Sequence, residues 1–172
     1  MTTNKQIRIF DIDNCLSDDA WRMDLIKWDE PDLHKRFHDY HMEAIHDEPA
    51  NKDRFFEMDV PVVLVTAAPA EYEERRMAWF AEHFGTRPKI VSRPAWCTWT
   101  SPILKGSVTA MLRCNGYDPI AAYDDRRDVC DMYMHVKIPL VEQLLVRPHT
   151  DEFLRRIDKT PFTSKTTHVV FQ

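Results

Sequence analysis

Glycine is scarce in this chain: three residues in 172, against eleven prolines. That scarcity excludes a glycine-rich phosphate loop, which needs several glycines within one short turn. Cysteine is sparse as well. Cys15, Cys97, Cys114 and Cys130 are scattered and form no C-x-x-C pair. Neither a zinc site nor a dithiol redox motif is signalled. Reduced thiols in a cytoplasmic protein are the expectation. Long apolar runs are missing too. No stretch approaches the roughly 20 apolar residues of a membrane helix, and residues 1–10 offer no signal-peptide core. Positive charge is not in excess. The net charge of −5 gives no support for a dedicated duplex-binding protein, although a local basic groove is compatible with it.

What is present reads as one globular domain, residues 1–172, long enough to bury a sizeable core. Residues 7–12 form the first strand candidate. Trp21, Leu25 and Trp28, then Leu33, Phe37, Tyr40 and Ala44, recur at helical spacing. This acidic, histidine-rich stretch, residues 17–49, reads as a small helical insertion. A short helix follows over about 51–58. Residues 62–65 are the clearest buried strand, being β-branched and bounded by turn residues. A helix over 71–84 turns Met77, Phe80 and Phe84 inward and stops at Gly85. Residues 89–91 are a strand and 93–102 a loop. A helix then carries Leu104, Val108, Met111 and Leu112 inward. Residues 120–123 form a strand, followed by a helix with Val129, Met132 and Tyr133 inward. A last strand is expected over 140–146. Residues 148–172 form a C-terminal extension with a short charged helix candidate. Strands alternating with helices predict an α/β domain, a Rossmann-like, mostly parallel sheet flanked by helices. Ligands of such sheets sit at the carboxyl ends of the strands.

Four carboxylates fall at those ends. Asp11 and Asp13 follow the first strand, and Asp124 and Asp125 follow the strand at 120–123. If the two strands are parallel neighbours, the carboxylates meet at one edge of the sheet. A carboxylate can attack phosphorus and split a hydrolysis into two steps, which suits Asp11. Asp13, two residues on, faces the same way if the strand continues, and can move protons. Magnesium prefers oxygen ligands, which Asp11 with Asp124 or Asp125 would supply. Thr66 ends the second long strand, and Lys105 opens a helix; both can hold a phosphoryl group. Taken alone, Thr66 reads as a helix N-cap and Lys105 as a surface charge.

These motifs, DIDNC, VVLVT, ILKGS and AAYDD in that order, resemble the haloacid dehalogenase (HAD) superfamily of phosphatases. The run Asp124-Asp125-Arg126 with Val129 and Met132, and Arg93-Pro94 before the lysine, is similar to phage-type polynucleotide 3′-phosphatase domains and related small phage phosphatases. The likeness covers about residues 7–146. It implies a HAD-like fold with a helical cap over 17–49. It also implies Asp11 as nucleophile, Asp13 as general acid/base, and Thr66 and Lys105 on the phosphoryl group. Mg2+ would be held by Asp11, Asp124, Asp125 and the backbone carbonyl of Asp13. Asn14 stands where such enzymes carry glycine and Cys15 where they carry threonine or valine. Ala67-Ala68 replaces the Gly-Arg of the polynucleotide enzymes.

The activity expected is Mg2+-dependent hydrolysis of a phosphomonoester through an aspartyl-phosphate. The expected substrate is a phosphorylated small molecule, a nucleotide or the 3′-phosphate end of a nucleic acid. Arg126, Arg93 and Trp96 are candidate substrate contacts. Trp96 and Trp99 read either as base-stacking residues or as packing. A 5′-mononucleotide phosphatase, a phosphotransferase, or a non-catalytic Mg2+-binding module for phosphorylated partners are the alternatives. His34, His38 and His41 share one helical face and read as a solvated cap surface.

Overall fold

A computed structural model describes residues 4–158. Its centre is strand β1 (Lys5–Phe10), where Ile7, Arg8, Ile9 and Phe10 are all buried. A strand buried on both faces belongs in the middle of a parallel sheet. It is flanked there by β4 (Val62–Pro69) and β6 (Tyr117–Asp124). Strands β5 (Lys89–Arg93) and β7 (Leu140–Gln143) form the edges, in the order β5-β4-β1-β6-β7. Every pairing in this sheet is parallel. The predicted α/β architecture is therefore observed.

Period-two alternation sorts the core onto two faces. Ile7, Ile9, Val63 and Val65 pack with Leu104, Val108 and Leu112 of α5 (Ser101–Cys114) and with Val129 and Tyr133 of α6 (Arg127–His135). Phe10, Leu64 and Tyr123 pack on the other face. Their partners are Phe55 of α3 (Lys52–Phe56) and Trp79, Phe80 and Phe84 of α4 (Glu73–Phe84). Arg8 is the exception in β1, only 2% exposed. Its guanidinium donates to the carbonyls of Phe55 and Met58, both at 2.8 Å, and of Arg54 at 3.2 Å. A buried charge is tolerated when its donors are satisfied in this way.

Residues 17–49 leave the sheet after β1 and return through a two-strand antiparallel ladder, β2 (Ser17–Asp18) with β3 (Glu48–Pro49). Between these strands the backbone is more broken than the spacing predicts. A 3-10 turn (Ala20–Leu25), α1 (Leu33–Arg36), α2 (His38–Met42) and a second 3-10 turn (Glu43–His46) replace two regular helices. Trp21, expected inward, is 50% exposed, and its neighbour Arg22 is fully buried. Met111 is likewise 45% exposed, because the inward face of α5 runs Leu104, Lys105, Val108, Thr109 and Leu112.

Boundaries differ from expectation at all five strands of the sheet: β5 runs on to Arg93 and β6 starts at Tyr117. β1 stops at Phe10, β4 runs on to Pro69 across an irregular register, and β7 ends at Gln143. The charged helix expected in the C-terminal stretch is α7 (Asp151–Asp158). The rest of that extension, 159–172, lies outside the described residues. Among the described residues no helix is long and apolar enough to cross a membrane.

Candidate active site

Parallel pairing of β1 with β6 carries Asp11 and Asp124 to the same edge of the sheet. The pairing continues past the strand end, where the Asp11 N–H donates to the Tyr123 carbonyl at 2.9 Å. Lys105, on the buried face of α5, projects between the two carboxylates. Its ammonium lies 2.8 Å from Asp11 Oδ1 and 2.6 Å from Asp124 Oδ2. Asp125 follows, and one oxygen from each of Asp11, Asp124 and Asp125 lies within 4.8 Å of the others.

Three buried carboxylates against one ammonium leave two negative charges uncompensated at one point. Burial pushes Asp11 up to about 6, against the pull of Lys105. Asp124 is pushed up to about 6 for the same reason. Burial also raises Asp125, opposed by its contact with His149. Burial opposes the charge on Lys105, but Asp11 and Asp124 outweigh it and hold the ammonium well above its ordinary value. Oxygen-only donors with a net deficit of positive charge fit a hard divalent cation such as Mg2+.

Asp13 takes a different course from the one alternation predicts. The chain turns directly after Asp11: the Ile12 carbonyl accepts the N–H groups of Cys15, Leu16 and Ser17, and Asn14 adopts φ +54°. Asparagine tolerates this left-handed conformation, which is where the glycine-replacing residue is needed. The turn aims the Asp13 carboxylate at two buried arginines. Arg22 Nη2 lies 2.6 Å from Oδ1 and Arg76 Nη2 3.0 Å from Oδ2. Burial would raise Asp13, but Arg76 and Arg22 hold it far below the usual carboxylate range. Its side chain lies outside the three-carboxylate cluster.

Arg22 also makes a two-pronged contact with Asp47, at 2.7 and 2.6 Å, and lies 3.9 Å over the Tyr40 ring. His41 stands 3.2 Å from Arg76 and is buried, so it belongs to this cluster and not to a solvated face. Burial and the neighbouring Arg76 push its imidazole well below the ordinary histidine value. Arg22, Arg76 and Asp47 were not singled out by the sequence.

The remaining candidates divide. Thr66 is 1% exposed, and its hydroxyl accepts the Ala68 N–H at 3.1 Å. At this strand end Ala67, Ala68 and Pro69 line the cleft instead. Arg93 lines the cleft but spends donors on three backbone carbonyls, of Ala67 at 2.7 Å, Trp99 at 2.6 Å and Cys97 at 3.3 Å, which ties the 94–99 loop to β4. Arg126 lines the cleft and holds Asp128 at 2.6 Å and Ser101 Oγ at 3.3 Å. Trp96 is 71% exposed and away from the cleft wall, whereas Trp99 is part of that wall. Cys15 is fully buried, and burial raises its thiol well above the ordinary value. It fills space beside the site.

The cleft holds about 830 Å³. Asp11, Lys105 and Asp125 are among its polar lining residues, and Phe37, Trp99 and Met132 among its apolar ones.

No family model matches this sequence, and neither does any curated protein. Solved structures do. The chain is similar to one in the Pnkp1/Rnl/Hen1 RNA repair complex, with a TM-score of 0.62 and 17% identity over 84% of this chain and 43% of that one. It thus spans less than half the length of that chain. It is also similar to the class C acid phosphatase from Bacillus anthracis with tungstate bound, with a TM-score of 0.55 and 10% identity over 94% of this chain and 69% of that one. At these identities the likeness establishes the fold, which is the HAD-like α/β fold that the four motifs implied.

Proposed function

We propose that this chain hydrolyses phosphomonoesters with Mg2+, acting on a nucleotide or on the 3′-phosphate end of a nucleic acid. One observation carries the reading: Asp11 meets Lys105, Asp124 and Asp125 at the mouth-facing edge of a parallel sheet, in a cleft large enough for a nucleotide. The aromatic walls and the likeness to an RNA-repair protein support the choice of substrate.

In this reading Asp11 attacks phosphorus, the P–O ester bond breaks, and the leaving oxygen takes a proton. Water then attacks the aspartyl-phosphate and regenerates the carboxylate. Lys105 keeps Asp11 ionised and aimed, and offsets charge on the phosphoryl group. The phosphoryl oxygens would rest between Lys105 and the end of β4 at residues 67–69, with Thr66 supporting that end through its bond to the Ala68 N–H. Asp11, Asp124, Asp125 and the Asp13 carbonyl would hold Mg2+, which supplies charge neutralisation between the anionic nucleophile and the anionic ester. Asp13 is the proton carrier of this reading, and its carboxylate must be released from both Arg22 and Arg76 before it takes up a proton. The 17–49 segment covers the site and selects the substrate.

Asp11→Asn should abolish release of phosphate from a generic aryl phosphate while leaving the fold intact. Full activity in that variant would sink the mechanism. For the substrate, phosphate release from a 3′-phosphorylated oligonucleotide is compared with release from 5′-mononucleotides. Inertness toward both would remove the nucleotide assignment.

A further inference from the structure

The chain beyond β7 does not leave the sheet. It crosses back over the loops that bear the carboxylates. Leu144 N–H donates to the Asp124 carbonyl at 3.0 Å, and Val146 N–H to the Asn14 carbonyl at 2.9 Å. Asn14 and Arg147 then bond reciprocally: Arg147 N–H reaches Asn14 Oδ1 at 3.1 Å, and Asn14 Nδ2 reaches the Arg147 carbonyl at 3.0 Å. Arg147 Nη2 holds Asp19 at 2.7 Å.

This course delivers His149 to the three-carboxylate cluster. Its Nε2 lies 2.8 Å from Asp125 Oδ2, and its side chain is 9% exposed. This is a close N···O contact and not an aligned hydrogen bond, and neither ring nitrogen has a hydrogen-bond partner among the described residues. The ring is held flat against Phe153, with centroids 4.8 Å apart and planes 10° apart. Its neighbour on Asp125 is weak: Asn14 Nδ2 stands 3.4 Å from the same oxygen. An imidazole buried against one oxygen of a metal-binding carboxylate does what such outer partners do elsewhere. It fixes which oxygen remains for the cation.

We propose that His149 is a positioning residue for the divalent-cation site, holding Asp125 Oδ2 so that the other carboxylate oxygen faces Asp11 and Asp124. The C-terminal stretch is thus part of the metal centre. This rests on the cation site of the proposed function, but not on the hydrolysis assigned to it.

The test measures cation binding directly. Free Mn2+ is followed by electron paramagnetic resonance, with Mg2+ as competitor, in the wild type and two variants. His149→Phe keeps the ring stack and deletes the nitrogens; His149→Gln keeps a donor near the position of Nε2. The expected result is a roughly 10-fold or larger rise in Kd for His149→Phe, with most of the affinity retained in His149→Gln. Melting of the metal-free variants serves as the folding control. Unchanged affinity in His149→Phe overturns the proposal, and so does an equal loss in both variants, which would mean packing and not the polar contact. A wild type that binds no Mn2+ refutes the cation site itself. A wild type that binds Mn2+ without hydrolysing any ester refutes the proposed reaction alone and leaves the role of His149 standing.

Discussion

Lowering the pH should strengthen the Asp11 contribution to the stability of the metal-free protein. Burial pushes Asp11 from an ordinary 3.8 up to about 6. A carboxyl whose folded pKa is raised contributes stability that is fully present below its unfolded pKa and is lost as pH rises through about 6. The whole shift corresponds to about 3 kcal/mol. Between pH 7.5 and pH 5 only part of it is recovered, about 1.4 kcal/mol. For a domain of this size the Asp11 share alone is worth about 3–6 °C in Tm.

Asp11→Asn isolates the contribution. The amide is neutral throughout, so the variant should lose the Asp11 share of the pH dependence while keeping that of Asp124, which burial also raises to about 6. Two groups act in the opposite sense: Asp13 only in far more acid solution, because Arg76 and Arg22 hold it so low, and His41 within this window, because burial disfavours its protonation until the chain unfolds. Both are common to wild type and variant, so the comparison isolates Asp11. The assay is calorimetric melting with a chelator present, at pH 5 and pH 7.5, for both proteins. An equal change in Tm for wild type and Asp11→Asn would refute the idea that Asp11 is strained by burial. Added Mg2+ should raise the wild-type Tm at pH 7.5 and raise it less at pH 5, where protons compete for the same oxygens.

Lys105→Met should cost roughly 3–5 kcal/mol at neutral pH, since it strands two buried carboxylates. Urea denaturation would show it, and a midpoint unchanged at pH 7.5 would count against the geometry. Arg22→Ala should destabilise by a similar amount, about 3–5 kcal/mol, because Asp13 and Asp47 both lose a buried partner. Gly106→Ala should stabilise α5 by up to about 1 kcal/mol. The new Cβ would meet Met132 Sδ at 3.2 Å, and that side chain borders the cleft, so it can swing aside. A fall in Tm would mean Met132 is pinned.

How much of this site was legible follows from where each residue comes from. Asp11 and Asp124 stand directly after short apolar runs, and a run buried in a parallel sheet has only one place to put its next residue. Asn14 was legible only as the residue standing where the resembled enzymes carry glycine, and its left-handed backbone came from the structure. Asp13 was misread since alternation holds only while a strand continues, and β1 ends at Phe10. Arg22, Arg76 and His149 come from three separate elements and meet the carboxylates only through tertiary packing. In sequence Arg22 sits beside Trp21, and hydrophobic periodicity favours the tryptophan as the inward residue. Burial of the charge is decided by Asp13 and Asp47, and no local pattern encodes that. The two-face core was readable from Val62 to Val65, whereas the broken helices of 17–49 are held by polar contacts that leave little periodic trace.

The short ladder between Ser17–Asp18 and Glu48–Pro49 has a consequence for how such a protein can change. It brings the start and the end of a long excursion into one pair of hydrogen-bonded strands. The cost of closing a loop grows slowly with length, about 0.6 kcal/mol per doubling. The material beyond the ladder can therefore be lengthened, shortened or exchanged with little effect on the sheet that carries Asp11 and Asp124. One condition travels with any replacement. It must return a cation to the place of Arg22, because Asp13 sits on the sheet side of the ladder and its partner on the other. The carboxylate cluster is thus fixed in the scaffold, while the material between the ladder strands is a module joined to it at a seam.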